Sequence, residues 1–309
     1  MLKPKLPRPV RVPNELGHIP IIMYHSVDDS KPFDKNGLNI STKTFKLHIE
    51  LFLSKGMYPI NVRDIRSHQT LSEVPEGFIP IALSFDDGRR SQFCYSANDL
   101  ISKDCAVAIL ESTTAQYPTR WRNRASFYVM PKSSYNLEPF QQTGRAAEKL
   151  THLITQGFEV GNHSWRHLSL SNMSSKQVQA EVLNAFYGIK KICPTATLDT
   201  FCVPFGAYPH IQDWRKVLLN PLRQQTTMHH VVLMAWGGSS FSPFDTRYDS
   251  TRVHRIGVSP GSLLANFQPL EQKNMFYVSG GDASKLFVSR RCLPHLNREK
   301  CASIRIVIT

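Results

Sequence analysis

The sequence predicts an α/β fold in which parallel strands are connected by helices. Short apolar runs alternate with amphipathic segments along most of the chain, and this order is typical of strand–helix–strand units. The candidate catalytic and metal-binding residues, which are aspartates and histidines, fall at the ends of apolar runs, where barrels and open α/β sheets place their sites. The length of 309 residues suits a single α/β barrel domain.

Apolar runs, hydroxyl caps and glycines predict the individual elements. A helix is expected where a Ser or Thr precedes apolar positions at helical spacing, as at Ser41 and Ser174, and a glycine such as Gly56 or Gly157 ends it. The predicted helices cover 41–56, 91–102, 144–156 and 174–192. The predicted strands cover 19–24, 81–86, 125–130, 158–163, 200–206, 231–235, 255–258, 275–278, 285–288 and 304–308.

Three segments follow from this pattern. Residues 1–18 are rich in proline and basic residues and are predicted to be a loose lead-in, and residues 19–270 form the main domain. Residues 271–309 are predicted to be a small β-rich extension, to which we assign no function. Within the main domain, residues 111–124 are predicted to be a polar, irregular insert with three arginines.

The charge balance favours anionic partners. The net charge is +13, which suits an acidic glycan or a membrane surface. No basic stripe with interleaved aromatic residues is present, so we expect no nucleic-acid binding. The first ten residues lack the apolar core of a signal peptide and no run of about 18 apolar residues occurs, so neither a leader nor a membrane span is predicted. The compartment stays open between the cytoplasm and export with the signal absent.

The six cysteines include no CxxC pair. This spacing argues against a thiolate zinc knuckle and against a thioredoxin-like site. The sequence is compatible with two alternatives: three disulfides, or reduced and mostly buried thiols.

Two adjacent carboxylates end an apolar run at Ile81-Ala-Leu-Ser-Phe-Asp-Asp-Gly88. Four apolar residues among five predict a buried strand, and at its end the chain can turn so that Asp86 and Asp87 reach one site. Such a pair can hold a metal or carry a proton, whereas Asp-Gly is also a common pair in solvated turns. The carboxylates alone do not decide between these interpretations.

Two imidazoles four residues apart favour the metal interpretation. His163 and His167 can present nitrogens on one side of a turn, although such a pair can also be incidental among twelve histidines. Together with Asp87 they complete a two-histidine, one-carboxylate set that leaves positions free for water and substrate. Asp86 is then available to accept a proton.

The order of these pieces resembles the polysaccharide deacetylases, carbohydrate esterase family 4, which share the NodB-type homology domain. Their Thr-Phe-Asp-Asp-Gly motif is similar to 84–88, their His-Ser/Thr-x-x-His motif to 163–167, and their Arg-x-Pro-Tyr-Gly motif to 202–206. The similarity extends over roughly residues 16–270 and implies that 19–270 is a catalytic domain. It also implies a distorted, incomplete (β/α) barrel with the small β-rich C-terminal extension.

The resemblance implies roles for single residues. Asp86 corresponds to the general base, and Asp87, His163 and His167 correspond to the ligands of a divalent metal, zinc by default, with cobalt or another divalent ion as alternatives. The backbone N–H of Phe205 corresponds to a donor to the oxyanion. The implied substrate is an N-acetylated glycan with N-acetylglucosamine-type units.

Three positions depart from the family pattern. Cys202 replaces an arginine that pairs with the catalytic aspartate, so we expect Asp86 to be a stronger base or to be held by another group. Leu168 replaces a proline after the second histidine. The late Leu-x-His motif, source of the catalytic acid, has no match among His210, His229, His230 and His254.

The N-terminal pair Tyr24-His25 can supply that acid instead. It is similar to the subgroup of poly-N-acetylglucosamine deacetylases, in which an early Tyr-His strand end provides it. We therefore expect His25 at the site. Trp165 and Trp236 are expected in the core or, as the alternative, as stacking platforms for sugar rings.

Three functions remain open. The first is a metal-dependent hydrolase that removes N-acetyl groups from a polysaccharide and releases acetate. The second is a deformylase or amidase that acts on a lipid-linked sugar or another small amide, which the basic surface and the 111–124 segment keep open. The third is a catalytically silent glycan-binding protein.

Overall fold

A computed structural model describes residues 10–32, 34–131, 138–221 and 228–309. Its strands are β1 Ile21–Tyr24, β2 Ser26–Val27, β3 Asn39–Ile40, β4 Met57–Ile60, β5 Ile79–Phe85, β6 Ser126–Val129, β7 Glu159–Asn162, β8 Thr200–Cys202, β9 Val231–Leu233, β10 Ile256–Gly257, β11 Lys285–Val288 and β12 Arg305–Ile308. Its α-helices are α1 Thr42–Ser54, α2 His68–Leu71, α3 Ala106–Gln116, α4 Ala146–Gln156, α5 Ser175–Ile192, α6 Trp214–Leu219 and α7 Ser262–Gln272. Short 3-10 helices cover Val62–Arg66, Pro139–Gln141, Pro204–Gly206 and Arg290–His295.

One parallel sheet carries the fold. Its strands follow the order β10-β1-β5-β6-β7-β8-β9, and β4 pairs with the first half of β5. Every pairing between these strands is parallel, with Tyr24 opposite Phe85 and Ser126 opposite Glu159. Helices between successive strands are the crossovers that parallel pairing requires. The predicted distorted, incomplete (β/α) barrel is confirmed.

The chain from 250 to 257 spans the open side of the sheet. Val253 pairs with Leu233 at the end of β9, and three residues later Ile256 pairs with Ile22 of β1. Arg255 lies between these two pairings, and it is buried, at 1% exposed.

Local signals fix the ends of several elements as the sequence predicts. The Ser41 hydroxyl accepts a hydrogen bond from the Thr44 N–H and caps α1. Ser174 and Gln177 form a reciprocal capping box at the start of α5. Gly157 ends α4 in the left-handed conformation at φ 95°, which favours glycine.

Two predicted elements between β5 and β6 are wrong. Residues 91–102 form turns and one antiparallel bridge between Tyr95 and Ile101, because Phe93 and Tyr95 alternate into the core instead of following a helical period. The predicted irregular insert at 111–124 begins inside α3. Ser112 and Gln116 lie on the exposed face of this helix, whereas Leu110 and Thr113 lie on its buried face.

The ends of the chain meet at the amino-terminal side of the sheet. The predicted strand at 275–278 consists only of isolated bridges, in which Asn14 pairs with Val278 and His18 with Phe276. Glu15 is buried and accepts hydrogen bonds from the N–H groups of Gly280 and Phe287. Residues 1–9 of the predicted lead-in lie outside the described residues, and the three segment boundaries stay predictions.

Apolar side chains fill both faces of the sheet. One cluster lies between the sheet and helices α1, α3 and α4, and a second joins the sheet to the C-terminal strands through residues such as Leu286 and Val288. None of the helices in the described ranges is long and apolar enough to cross a membrane.

Candidate metal centre and active site

The site residues meet because the strands that precede them are parallel. His25 follows β1, Asp86 and Asp87 follow β5, His163 follows β7, and Phe205 follows β8. The carboxyl ends of parallel strands lie at one edge of the sheet, so side chains distant in sequence converge there. The structure therefore brings together every residue that the sequence analysis assigned to the site.

Left-handed backbone conformations shape this edge. Asp87 has φ 75° and Gly88 φ 56°, so the chain reverses directly after β5. His167 at φ 56° and Phe205 at φ 58° adopt the same left-handed backbone region, which residues other than glycine rarely occupy. Such conformations cost about 1–3 kcal/mol each and concentrate at ligand sites.

Three donor atoms converge at Asp87. Its Oδ1 lies 3.3 Å from Nε2 of His163 and 3.2 Å from Nε2 of His167. This Oδ1 is buried, and among the described residues it has no hydrogen-bond partner. Since two neutral imidazoles and a carboxylate oxygen are the donors that zinc and related ions prefer, the set fits a divalent cation.

Neighbouring groups orient two of these donors. Nδ1 of His163 lies 2.9 Å from the Cys202 carbonyl oxygen, so it carries the proton and leaves the Nε2 lone pair directed at the site. Arg89 donates two hydrogen bonds to Oδ2 of Asp87, from Nε at 2.9 Å and from Nη2 at 2.7 Å. The other oxygen of Asp87 is thereby left for the cation.

A second cluster of potential ligands overlaps the first. Asp86, His163 and Cys202 also lie within reach of one another, and all three are buried. Arg255, however, contacts both Asp86 oxygens and lies 3.1 Å from the Cys202 sulfur. Burial also raises the pKa of the Cys202 thiol, which favours its neutral form. A cation is therefore favoured at Asp87, away from the guanidinium.

Cys202 stands where the family has an arginine that pairs with the catalytic aspartate, and in this structure Arg255 makes that pairing instead. It donates from Nη1 to Asp86 Oδ1 at 2.7 Å and from Nη2 to Oδ2 at 2.8 Å. Burial raises the pKa of Asp86, but the charge and hydrogen bonds of Arg255, together with the charges of His163 and His25, outweigh it and lower the pKa to about 2. The expectation of a stronger base is wrong, and the alternative that another group holds Asp86 is confirmed.

His25 lies beside Asp86 because β1 and β5 are neighbours. Its Nε2 is 3.9 Å from Asp86 Oδ2, and Gln92 ties the two strand ends by donating from Nε2 to both their carbonyl oxygens. Burial lowers the pKa of His25, and the charges of Asp86 and Asp87 oppose that shift. Nδ1 of His25 is buried without a hydrogen-bond partner in the part of the chain that the structure describes.

The aromatic residues near the site differ in exposure. The Phe205 ring packs edge-on against His167 at 4.5 Å and is 59% exposed. Trp236 follows β9 and is 63% exposed, so it is not a core residue. Trp165 is partly buried and lies against Gly188 of α5, where an added Cβ would approach the indole to 2.8 Å.

The roles of Arg255 and of Arg89 and Gln92, the two residues that hold the acidic turn, were not predicted from the sequence. One signal was available for Arg255, which begins the apolar stretch predicted as a strand at 255–258. A guanidinium in a buried strand requires a carboxylate partner. Which carboxylate it meets depends on the crossing from β9 to β1.

Comparison with known proteins supports the family resemblance. Residues 74–217 match the family model for polysaccharide deacetylase. A chitooligosaccharide deacetylase of Azorhizobium caulinodans is 26% identical over 172 residues, which cover 52% of this chain and 75% of that protein. One of Sinorhizobium fredii is 25% identical over 140 residues, or 45% of this chain and 53% of that protein.

Solved structures share the fold at low sequence identity. A Streptococcus pyogenes deacetylase in complex with acetate has a TM-score of 0.58 and 17% identity, with coverage of 82% of this chain and 99% of that chain. A polysaccharide deacetylase from Bacillus cereus has a TM-score of 0.57 and 15% identity, with coverage of 82% and 68%. The family match includes both aspartates and both histidines, whereas His25 and Arg255 lie outside it.

Proposed function

We propose that this protein is a metal-dependent hydrolase that removes N-acetyl groups from N-acetylglucosamine-type units of a polysaccharide and releases acetate. The observation that carries the proposal is the convergence of two imidazole nitrogens on the unpartnered oxygen of Asp87, next to a second carboxylate held by Arg255. The names of the two curated relatives favour an oligomer or polymer of N-acetylglucosamine as substrate.

The proposed metal ligands are Asp87, His163 and His167. Zinc is the default ion for this donor set, and cobalt or another divalent ion also suits it. When bound, such an ion polarises a carbonyl and lowers the pKa of a water molecule. Arg89 keeps the carboxylate of Asp87 in place for this purpose.

Asp86 is proposed as the general base. Its pKa of about 2 keeps it ionised at neutral pH, and the two hydrogen bonds from Arg255 fix its plane. A carboxylate in this position can accept the proton of the attacking water as the C–O bond to the acetyl carbon forms. The low pKa makes Asp86 a weaker base than a free carboxylate, so its position has to supply part of the rate.

His25 and Phe205 complete the proposal. His25 faces the base at 3.9 Å and can donate a proton to the departing amine, which leaves as the free amino group of a glucosamine unit. The backbone N–H of Phe205 has no acceptor among the described hydrogen bonds and can donate to the oxyanion. We also infer membership of the subgroup with an N-terminal Tyr-His motif, supported by His25 at the edge of the site.

The direct test measures acetate released from N-acetylglucosamine oligomers. The purified protein is stripped with a chelator and assayed before and after zinc or cobalt is restored. We expect release only in the metal-loaded protein, with calorimetric binding of about one ion per chain. Formate release from formylated amides without acetate release would favour the second function, and tight glycan binding without turnover would favour the silent binding protein. Either result contradicts the proposal.

A further inference from the structure

Two cysteines lie together on the segment that follows the acidic turn. Cys94 is partly exposed, whereas Cys105 is 1% exposed, and both are free thiols. Both side chains line the same cavity, and they interact electrostatically. Since neither belongs to the candidate metal centre, the proposed hydrolysis leaves both without a role.

Backbone pairing brings the two cysteines together. The Ser102 N–H donates to the Cys94 carbonyl oxygen at 2.8 Å, and the Cys105 N–H donates to the Ser102 carbonyl oxygen at 3.1 Å. Beyond the pair, the Ala106 N–H donates to the Ser91 carbonyl oxygen at 3.1 Å. These bonds hold the stretch 91–94 against 102–106, so the distance between the sulfurs depends on ordered backbone and not on a chance surface contact.

A cavity gives solutes access to the pair. Its volume is about 320 Å³, and both cysteines line it together with Val27, Asp28, Arg90 and Ser102. This volume accommodates a small oxidant beside the sulfur of Cys94. Cys105 is the buried member of the pair.

Two cations favour the thiolate of Cys94. Lys149 is buried, and its Nζ donates to the carbonyl oxygens of Phe93 and Phe140 at 2.9 and 3.2 Å, so its charge is fixed beneath the pair. Arg90 also lines the cavity, together with Asp28, Asp29 and Asp104, whose negative charges act against the two cations. The hydrogen bond from Cys105, with help from these cations, lowers the pKa of Cys94, while the same bond raises the pKa of Cys105. An accessible, acidic thiol beside a second cysteine is the arrangement of a redox-reactive pair.

We propose that Cys94 and Cys105 form a redox site that reacts with hydroperoxides. The Cys94 thiolate attacks one peroxide oxygen, the O–O bond breaks, and Cys94 becomes a sulfenic acid as one water forms. The sulfur of Cys105 then attacks the Cys94 sulfur, the S–O bond breaks, and a second water leaves as the disulfide forms. Two thiols and one hydrogen peroxide thus give one disulfide and two waters.

The pair lies next to the candidate metal centre in the chain. Arg89, which binds Asp87, and Gln92, which joins the ends of β1 and β5, belong to the same segment as Cys94. A disulfide at 94–105 would therefore cross-link the segment that supports the acidic turn.

Peptide mapping tests the proposal without any assay of hydrolysis. Trypsin cuts after Arg90, Lys103 and Arg120, which places the two cysteines on peptides 91–103 and 104–120. After mild hydrogen peroxide and blocking of free thiols, we expect these peptides to be disulfide-linked and to separate on reduction. Cys105→Ser should leave a sulfenic acid at Cys94 that dimedone traps, and Cys193→Ser, a buried cysteine elsewhere, should behave as the wild type. Absence of the linked peptides in the folded wild-type protein would overturn the proposal.

Alkylation rates give a second measurement, which begins with the wild-type protein. At pH 7 we expect iodoacetamide to modify Cys94 at least about tenfold faster than Cys193, because Cys94 is both more exposed and richer in the reactive thiolate. Arg90→Gln should slow the reaction at Cys94 alone. Equal rates for Cys94 and Cys193 would contradict the proposal. Since these readouts involve no substrate turnover, their failure is distinct from failure of the proposed deacetylation.

Discussion

Arg255 binds Asp86 through two parallel hydrogen bonds, at 2.7 and 2.8 Å, and the pair is buried at the carboxyl end of the parallel sheet. The arginine precedes β10 and the aspartate follows β5, so the pair connects two strands that flank β1. Paired, fork-like hydrogen bonds fix the plane of the carboxylate as well as its charge. The proposed base is thus positioned by a residue far from every motif of the site.

Removal of this arginine should damage both stability and activity. Arg255→Met leaves the Asp86 charge buried without a partner, which costs about 3–5 kcal/mol in the free energy of unfolding. Hydrolysis should fall about 100-fold or more if the variant folds, because the base loses its fixed orientation. Urea denaturation and acetate release measure the two effects. Arg252→Met, which removes an exposed guanidinium that stacks on Tyr208 and Trp214, is the matched control. Wild-type behaviour of Arg255→Met would contradict the positioning role.

The two adjacent aspartates should separate into different roles. Asp86→Asn is expected to retain metal while deacetylation collapses, because the amide cannot accept the proton. Asp87→Asn should lose most of the metal affinity, because a charged ligand is replaced by a neutral one. Metal analysis after dialysis and acetate release distinguish the variants. Retained activity in Asp86→Asn would refute its assignment as the base.

Replacement of His25 should depend on the leaving group. His25→Gln is expected to lower amide hydrolysis about 100-fold, since a positioned acid contributes that order of rate enhancement. Hydrolysis of an aryl acetate should fall much less, because a phenolate leaves without a proton. His210→Gln, at an exposed histidine, serves as the control. Equal losses on both substrates would show that His25 does not act as the acid.

Phe205 should tolerate changes of its side chain. Its proposed role uses only the backbone N–H, so Phe205→Tyr and Phe205→Leu should keep kcat within about threefold, far from the 100-fold or larger loss typical of a missing oxyanion donor. Steady-state kinetics with metal-loaded protein measure this. A loss of about 100-fold in both variants with metal retained would mean that the ring, which packs on His167, is itself required.

Acid should destabilise the protein through His229. This imidazole is fully buried, with Nδ1 at 2.7 Å from the Leu218 carbonyl oxygen and Nε2 facing the Asn162 amide, and burial lowers its pKa to about 4. Its neutral form is favoured in the folded state, so the full contribution to stability is present above the ordinary histidine pKa of 6.5 and is lost as the pH falls toward 4. The free energy of unfolding should drop by about 2–3 kcal/mol from this group between pH 7 and 4.5.

Urea denaturation at the two pH values measures that drop. His229→Gln should be less stable at pH 7 but should show a smaller decrease on acidification. His210→Gln should keep the wild-type decrease, because His210 is exposed. An unchanged decrease in His229→Gln would contradict the assignment.

Local sequence signals were sufficient for most of the elements. The capping residues Ser41 and Ser174 and the glycine stop at Gly157 act on neighbouring backbone groups, and their effect can be predicted without a fold. The segment 91–116 could not be predicted in this way. Its apolar residues alternate at first and then follow a helical period, and only packing against the core shows where the change occurs.

The sequence by itself determined the donor types and their order. Asp87 and His163 follow apolar runs that form strands, His167 stands four residues after His163, and parallel strands bring such ends to one edge. The tertiary structure alone decided what holds Asp86. Arg255 reaches it only because residues 250–257 cross from β9 to β1, and such a contact depends on strand order and not on any local pattern. The pairing of Cys94 with Cys105 was likewise decided by backbone bonds between segments whose turns the sequence did not predict.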